Sequence, residues 1–298
     1  MVRLGFGDRV MQVIIYIFLA LLAFVTFYPF WNGLVISLNS GSDTALGGVT
    51  FWPRDFTLEN YEIVFQDKRL LNGFGISVAR TVVGTISSIL VTSIFAYGMT
   101  KRELIGRKYY MVMCIITMYF GGGLIPTFML VRSLGLMDSF WVFIIPSLVS
   151  VWNMIIFRTF FQGLPNGLEE SAKIDGAGNW GIYFRIILPL SGPVIATLSL
   201  FTAVAHWNEW FLPSIYITKE ELLPIQTILR QILNSNIMSE QMSQLDSSSA
   251  AALSRMQSVT TKSLSMATMI VATLPIIMVY PFVQKHFVKG VLVGSLKE

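Results

Sequence analysis

Six stretches of this chain contain no Asp, Glu, Lys or Arg: residues 10–42, 81–100, 109–131, 139–157, 186–208 and 263–284. Each is about as long as the ~20 helical residues that cross ~30 Å of hydrocarbon. In lipid a spanning segment must pair its own backbone N–H and C=O groups, so such runs are expected to be helices. Hydrophobic residues make up 54% of the chain and charged residues 13%, where soluble domains carry about a quarter; the mean hydropathy is +0.64. The expectation is an all-α membrane protein with six transmembrane helices. The first run follows Arg3 and Arg9 and ends in Tyr28-Pro29-Phe30-Trp31 rather than at a small-residue cleavage site, so it reads as a retained anchor, not a removable signal.

Lys and Arg orient the spans. With both termini inside, the inner segments carry Arg3, Arg9, Lys101, Arg102, Arg107, Lys108, Arg158, Lys173, Arg185, Lys285, Lys289 and Lys297. The longer outer segments carry Arg54, Lys68, Arg69, Arg132, Lys219, Arg230, Arg255 and Lys262. The run KRELIGRK, 101–108, is the strongest inside signal. Outside, 43–72 is a Trp/Pro/Asp loop. The segment Pro224–Leu233 (PIQTILRQIL) places Ile225, Ile228, Leu229 and Ile232 on one helical face, set on the outer surface or toward a delivering protein.

The most polar segment between two apolar runs is EESAKIDGAGNWGIYFRIILPL, 169–190, on the inner side. Glu170 to Asp175 reads as a short helix preceded by Pro165 and Asn166, with acids near its positive end. Gly176 and Gly178 stop it. Asn179 is expected to cap a second piece, Trp180 to Leu188, that runs into Pro189.

Cys114 lies in an apolar run and reads as a packing residue; His206 and His286 are far apart, and no metal-ligand cluster is expected. No G-x-x-x-x-G-K-[ST] loop occurs, so the chain is not expected to hydrolyse ATP. No catalytic triad or paired carboxylates stand at catalytic spacing. An ion-coupled secondary transporter is the alternative; it predicts carboxylates within the spans, and only Glu209, beside the outer end of the fifth, qualifies.

Glu170-Ser171-Ala172, three residues, Gly176, nine residues and Ile186-Ile187-Leu188-Pro189 resembles the EAA loop of bacterial ABC importer permeases, E-A-A-x3-G-x9-I-x-L-P, with Ser171 in place of Ala. ISVARTVVGT (76–85), FAYGMTKREL (95–104), MYFGGGLIPTFMLVRSLGLMDSFW (118–141) and QKHFVKGVLVGSLKE (284–298) resemble the carbohydrate-uptake branch, covering the chain from about Leu71 onward. The nearest likeness is to subunits serving complex or acidic oligosaccharides, alginate or polyuronate among them. The resemblance implies the type I permease fold with N-terminus and C-terminus inside. It divides the chain into a first helix and external loop (1–70), a core (71–285) with a coupling loop (162–186), and a cytoplasmic tail (286–298). It implies a multi-pass protein of the bacterial plasma membrane that is not itself an enzyme. Its implied partners are a second, non-identical permease, two cytoplasmic ATPase subunits that hold ATP and Mg, and an extracytoplasmic solute-binding protein. The implied ATPase-coupling residues are Glu169, Glu170, Ser171, Ala172, Asp175, Gly176, Ala177, Leu188 and Pro189, and the implied tail contacts are Gln284, Gly290 and Gly294.

A sugar presents apolar CH faces and hydroxyl edges, which aromatic and hydrogen-bonding side chains match. The candidates along the path are Arg80, placed near the outer end of the second span, Tyr119, Trp152, Asn153, His206, Trp207, Asn208, Glu209 and Trp210. Against this stand plainer roles: Trp in the interfacial belt and Asn bonding a neighbouring helix. Gly121-Gly122-Gly123 with Pro126 signals either a bend in the third span or tight helix packing.

Overall fold

The computed structural model describes residues 6–245 and 262–279. Among them the regular structure is helical, with one isolated antiparallel bridge, Asn39 to Phe56. Three helices are long and apolar enough to cross a membrane unbroken: Phe6–Ser37, Lys68–Gly98 and Lys262–Val279. Three more candidates are bent pairs: Arg107–Tyr119 with Leu124–Ser133 (116°), Phe140–Ser147 with Val151–Gln162 (48°), and Asn179–Leu190 with Gly192–Asn208 (80°). Taking each pair as one span gives the six expected crossings and an all-α membrane fold.

The bends follow from the sequence. Tyr119 ends one helix, Phe120 is extended, and Gly123 takes φ +83 before Leu124 starts the next. A Cβ at Gly121 or Gly123 would meet nothing within 4 Å, so these glycines bend the span and do not serve close packing within this chain. Pro189 and Pro193 each lack an N–H, and a wide π turn, Tyr183–Ile187, precedes the first of them. Fully buried Ser191 then donates its hydroxyl to the Ile187 carbonyl at 2.6 Å.

The chain divides into two compact units, Met1–Leu71 with Leu229–Thr273, and Asn72–Ile228 with Leu274–Glu298. In the first, Asn39 is the hub of the external segment. Its amide donates to Asp43 and Thr44 at 3.0 and 2.9 Å, and its carbonyl accepts from the backbone of Arg54 and Asp55 at 2.9 and 3.0 Å. The expected 43–72 loop therefore contains two short helices, Gly41–Ala45 and Glu59–Gln66. The apolar heart of the first helix, Phe6–Ser37, is unburied within this chain; only its outer end, Gly33 to Ser37, is largely covered.

In the second unit Tyr97, Cys114, Met154, Phe157, Phe161, Tyr183 and Leu198 join the spans in one core, so Cys114 is a packing residue. The second span starts at Lys68, thirteen residues before its charge-free run. Arg80 is therefore well inside the helix rather than near its end. Of the apolar stripe on 224–233, Ile225, Ile228 and Leu229 are buried, which corrects the alternative that it faces a delivering protein. A Cβ on Gly73 would lie 3.1 Å from the Leu223 carbonyl and 3.3 Å from the Ile225 nitrogen, so only glycine lets the two segments meet. Gly73→Val is expected to cost about 1–3 kcal/mol through overpacking, lowering the unfolding midpoint of the purified protein in detergent. Gly75→Val, whose Cβ meets open space, is expected to leave the midpoint nearly unchanged.

Candidate functional site

The inner polar segment folds as a helix, a tight turn and a second helix. The first helix, Asn166–Ile174, starts earlier than the residues Glu170–Asp175 suggest, because Pro165 already sits at its N-cap. Gly176 ends it with φ +82. The Gly176 N–H donates to the Lys173 carbonyl at 3.0 Å and the Ala177 N–H to the Ala172 carbonyl at 2.9 Å. This is the Schellman pattern, which satisfies two carbonyls of the last turn. A Cβ at Gly176 would meet nothing within 4 Å. Within this chain, then, the glycine is required for its backbone conformation, which costs an L-residue about 1–2 kcal/mol, and not for space.

The turn sorts the motif into two faces. Ala172 is buried and Ala177 packs against the same cluster, beside Tyr97, Phe161, Ile182 and Tyr183. Glu170, Ser171, Asp175 and Gly176 are exposed, and Ile174 is 86% exposed. The second helix starts at Asn179 itself. Gly178 is its N-cap and no side chain caps it, which corrects the expected cap by Asn179. Trp180 is exposed and stacks on Phe184 at 6.1 Å. Leu188 packs against the core, while exposed Pro189 stands at the turn into the fifth span.

Two adjacent carboxylates have separate jobs. Glu169 faces inward and accepts from Lys101 Nζ and, at 3.1 Å, from Lys173 Nζ. Lys101 Nζ also lies 4.1 Å over the Tyr97 ring. Glu169 thereby ties the loop helix to the KRELIGRK connection, across a polar cavity of about 520 Å³ that Glu170 and Arg102 also line. Partial burial works against the Glu169 charge, but the Lys101 and Lys173 hydrogen bonds and charges outweigh it and hold the carboxyl below its ordinary range. The Lys173 ammonium is pushed up, chiefly by its hydrogen bond to Glu169.

The candidates for the translocation path separate by burial. Arg80 is 1% exposed; its Nη2 donates to the carbonyl of His206 and, at 2.7 Å, to that of Glu209, and its guanidinium lies 5.3 Å over Phe143. Its geometry is that of a clamp on the end of the helix Gly192–Asn208. His206 is buried against Gly84, where a Cβ would come within 2.6 Å of the imidazole. Trp207 is buried and edge-on to Phe74 at 5.7 Å, in the wall of an apolar cavity of about 640 Å³. Asn153 donates to Thr202 at 3.2 Å, helix to helix. Glu209 accepts the N–H groups of Phe211 and Leu212 at 2.9 and 3.1 Å. Tyr119 is 77% and Trp152 64% exposed, and Asn208 and Trp210 are also exposed. Gln284, Gly290 and Gly294 lie outside the described residues. The tie between Lys101 and Glu169 was not anticipated from the sequence, because it joins residues 68 positions apart in the chain.

The family model described as "Binding-protein-dependent transport system inner membrane component" matches residues 1–293. The chain belongs to this family. It is 41% identical over 291 residues to the polygalacturonan/rhamnogalacturonan transport system permease protein YtcP of Bacillus subtilis (strain 168), covering 97% of this chain and 99% of the relative. It is 40% identical to Protein LplC of the same strain, over 98% of this chain and 96% of that one. Among solved structures, a bacterial ABC transporter involved in the import of the acidic polysaccharide alginate matches with a TM-score of 0.86 at 27% identity, over 96% of this chain and 100% of that chain. For an inner membrane component of a binding-protein-dependent system, the ion-coupled alternative has no support, and Glu209 serves its own backbone.

The Glu169 linkage gives a pH test of the loop in this transport component. A depressed carboxyl contributes stability above its unfolded pKa and loses it as pH falls through the folded one. The raised Lys173 contributes below the ordinary amine range and loses it as pH rises through its own folded value. The pair is therefore intact from below the carboxylate range to above the amine range. Wild type is expected to unfold at a higher temperature than Glu169→Gln by a constant margin from neutral pH down to the ordinary carboxylate range, and by a shrinking margin below it. Thermal scans across pH check this.

Proposed function

We propose that this chain is a permease subunit of an ATP-driven importer for oligosaccharides, with acidic, uronate-containing chains as the favoured cargo. The observation that carries the reading is the turn at Gly176. It holds a two-helix knob whose inner face is fixed to the spans and whose outer face presents Glu170, Ser171 and Ile174, shaped to enter a cleft of another subunit. The substrate class is supported by the polygalacturonan/rhamnogalacturonan relative and by the alginate importer.

In this reading the inside-positive loops set both termini and the knob in the cytoplasm of a bacterial cell, and the protein resides in its inner membrane. A second, related permease completes the pathway. A solute-binding protein delivers sugar from outside. Two ATPase subunits hold ATP and Mg and take the knob, so this chain performs no catalysis. Their closure moves the knob, and the motion passes through the 80° bend at Ser191 into the fifth span. The exposed Tyr119, Trp152, Asn208 and Trp210 are the side chains placed to meet sugar. Arg80, Asn153, His206 and Trp207 shape the helices behind them, and Glu209, engaged by the N–H groups of Phe211 and Leu212, opposes an acidic sugar unless a cation accompanies it. The tail residues Gln284, Gly290 and Gly294 add a second ATPase contact.

The test is ATP hydrolysis by the assembled complex, stimulated by sugar-loaded binding protein. Trp152→Ala and Asn208→Ala are expected to lower stimulation several-fold, since one stacking or hydrogen-bonding contact is worth about 1 kcal/mol. Gly176→Asp is expected to insert normally and to abolish stimulation. Full stimulation of the Gly176→Asp complex contradicts the coupling role. Full stimulation of both path variants moves the sugar site to the partner permease.

A further inference from the structure

The connection between the third and fourth spans holds a feature that the transport reading does not use. Asp138 has φ +52 and is the one non-glycine residue with positive φ among the described residues. Asp tolerates that region better than most residues but gains nothing from it. What holds it there is a set of bonds to a segment about 80 residues away. Its own N–H donates to the Tyr216 carbonyl at 3.1 Å. Oδ1 accepts the N–H groups of Thr218 and Lys219 at 2.5 and 3.1 Å, and Oδ2 accepts the Thr218 hydroxyl at 2.7 Å. Led by the Thr218 hydroxyl, these bonds hold the carboxyl below its ordinary range, so it stays charged near neutrality. Phe128 stacks on Tyr216 at 6.1 Å and 16° beside them.

The two sides of this junction lead to the two moving parts of the proposed mechanism. On one side, Thr218 follows the helix Phe211–Tyr216, which Glu209 caps at the end of Gly192–Asn208. That span continues from the coupling segment across the Ser191 bend. On the other side, Asp138 follows the half-span Leu124–Ser133, which the glycines at 121–123 set free of Arg107–Tyr119 through a 116° bend. The junction adds directional hydrogen bonds to the Phe128–Tyr216 packing between these two segments.

We propose that Asp138 is a latch, a positioning residue that joins the outer end of the coupling span to the hinged outer half of the third span, so that both shift as one body when the coupling helix moves. The proposal rests on the transporter reading above. Asp138 touches neither sugar nor nucleotide in it.

The test uses the full complex and titrates sugar-loaded binding protein against ATP hydrolysis. Asp138→Ala is expected to insert, to keep the basal rate, and to need about fivefold or more binding protein for half-maximal stimulation, with a lowered maximum. Asp138→Asn tolerates positive φ and keeps an acceptor oxygen, so it is expected to restore most of the response. A loss caused only by misfolding would lower the basal rate as well. If Asp138→Ala does not accumulate, Thr218→Val is expected to show the same shift at smaller size, and a wild-type response from it overturns the latch. A responsive wild type with an equally responsive Asp138→Ala overturns the latch alone. A wild type that ignores loaded binding protein overturns the transporter reading and the latch with it.

Discussion

Every backbone donor and acceptor in a membrane span must find its partner within protein, since lipid offers none. This chain breaks its spans repeatedly, and side chains close some of the breaks. Thr92, fully buried on the second span, donates to Leu148 and accepts from the Ser150 N–H, both at 3.2 Å, where the fourth span kinks. At the Pro189 bend, buried Ser191 adds its hydroxyl to the Ile187 carbonyl that its own N–H already reaches. At the end of the fifth span Arg80 takes the carbonyls of His206 and Glu209, and the Glu209 carboxylate takes the N–H groups that follow. Among the described residues, the breaks in the fourth span and at the end of the fifth are therefore held by side chains, while the glycine bend of the third span is not.

The inner loop applies the same economy outside the membrane. One glycine in a left-handed turn satisfies the end of a short helix and aims one face at the core and the other at solvent. Glu169 then binds that helix to a different loop through Lys101, leaving Glu170 exposed. Neighbouring acids of like chemistry are thus separated by helix geometry, one holding the loop and one left exposed. A loop fixed at both its helix and its turn passes a push into the fifth span instead of absorbing it.

Local patterns were legible in the sequence. Absence of charge located six spans, Lys and Arg spacing indicated an inner side, and E-S-A-x3-G located the loop and its glycine. Tertiary choices were not. Arg80 looked like a residue near a helix end because the apolar run starts at Thr81, yet the helix starts at Lys68, and a buried guanidinium is sustained by carbonyls 126 and more residues away. Trp207 and His206 read as sugar contacts by type, but packing against Phe74 and Gly84 turned them inward. Nothing in the sequence singled out Asp138, because its partners Tyr216, Thr218 and Lys219 lie about 80 residues further along the chain.

The central claim is that the face carrying Ile174 docks on a cytoplasmic ATPase. Ile174→Cys places a thiol on a strongly exposed position of the knob without disturbing the core or the Gly176 turn. The account predicts that a membrane-impermeant maleimide labels it only from the cytoplasmic side of oriented vesicles, and that assembly with the ATPase subunits blocks the labelling. Labelling from the outer side, or undiminished labelling in the assembled complex, would contradict it.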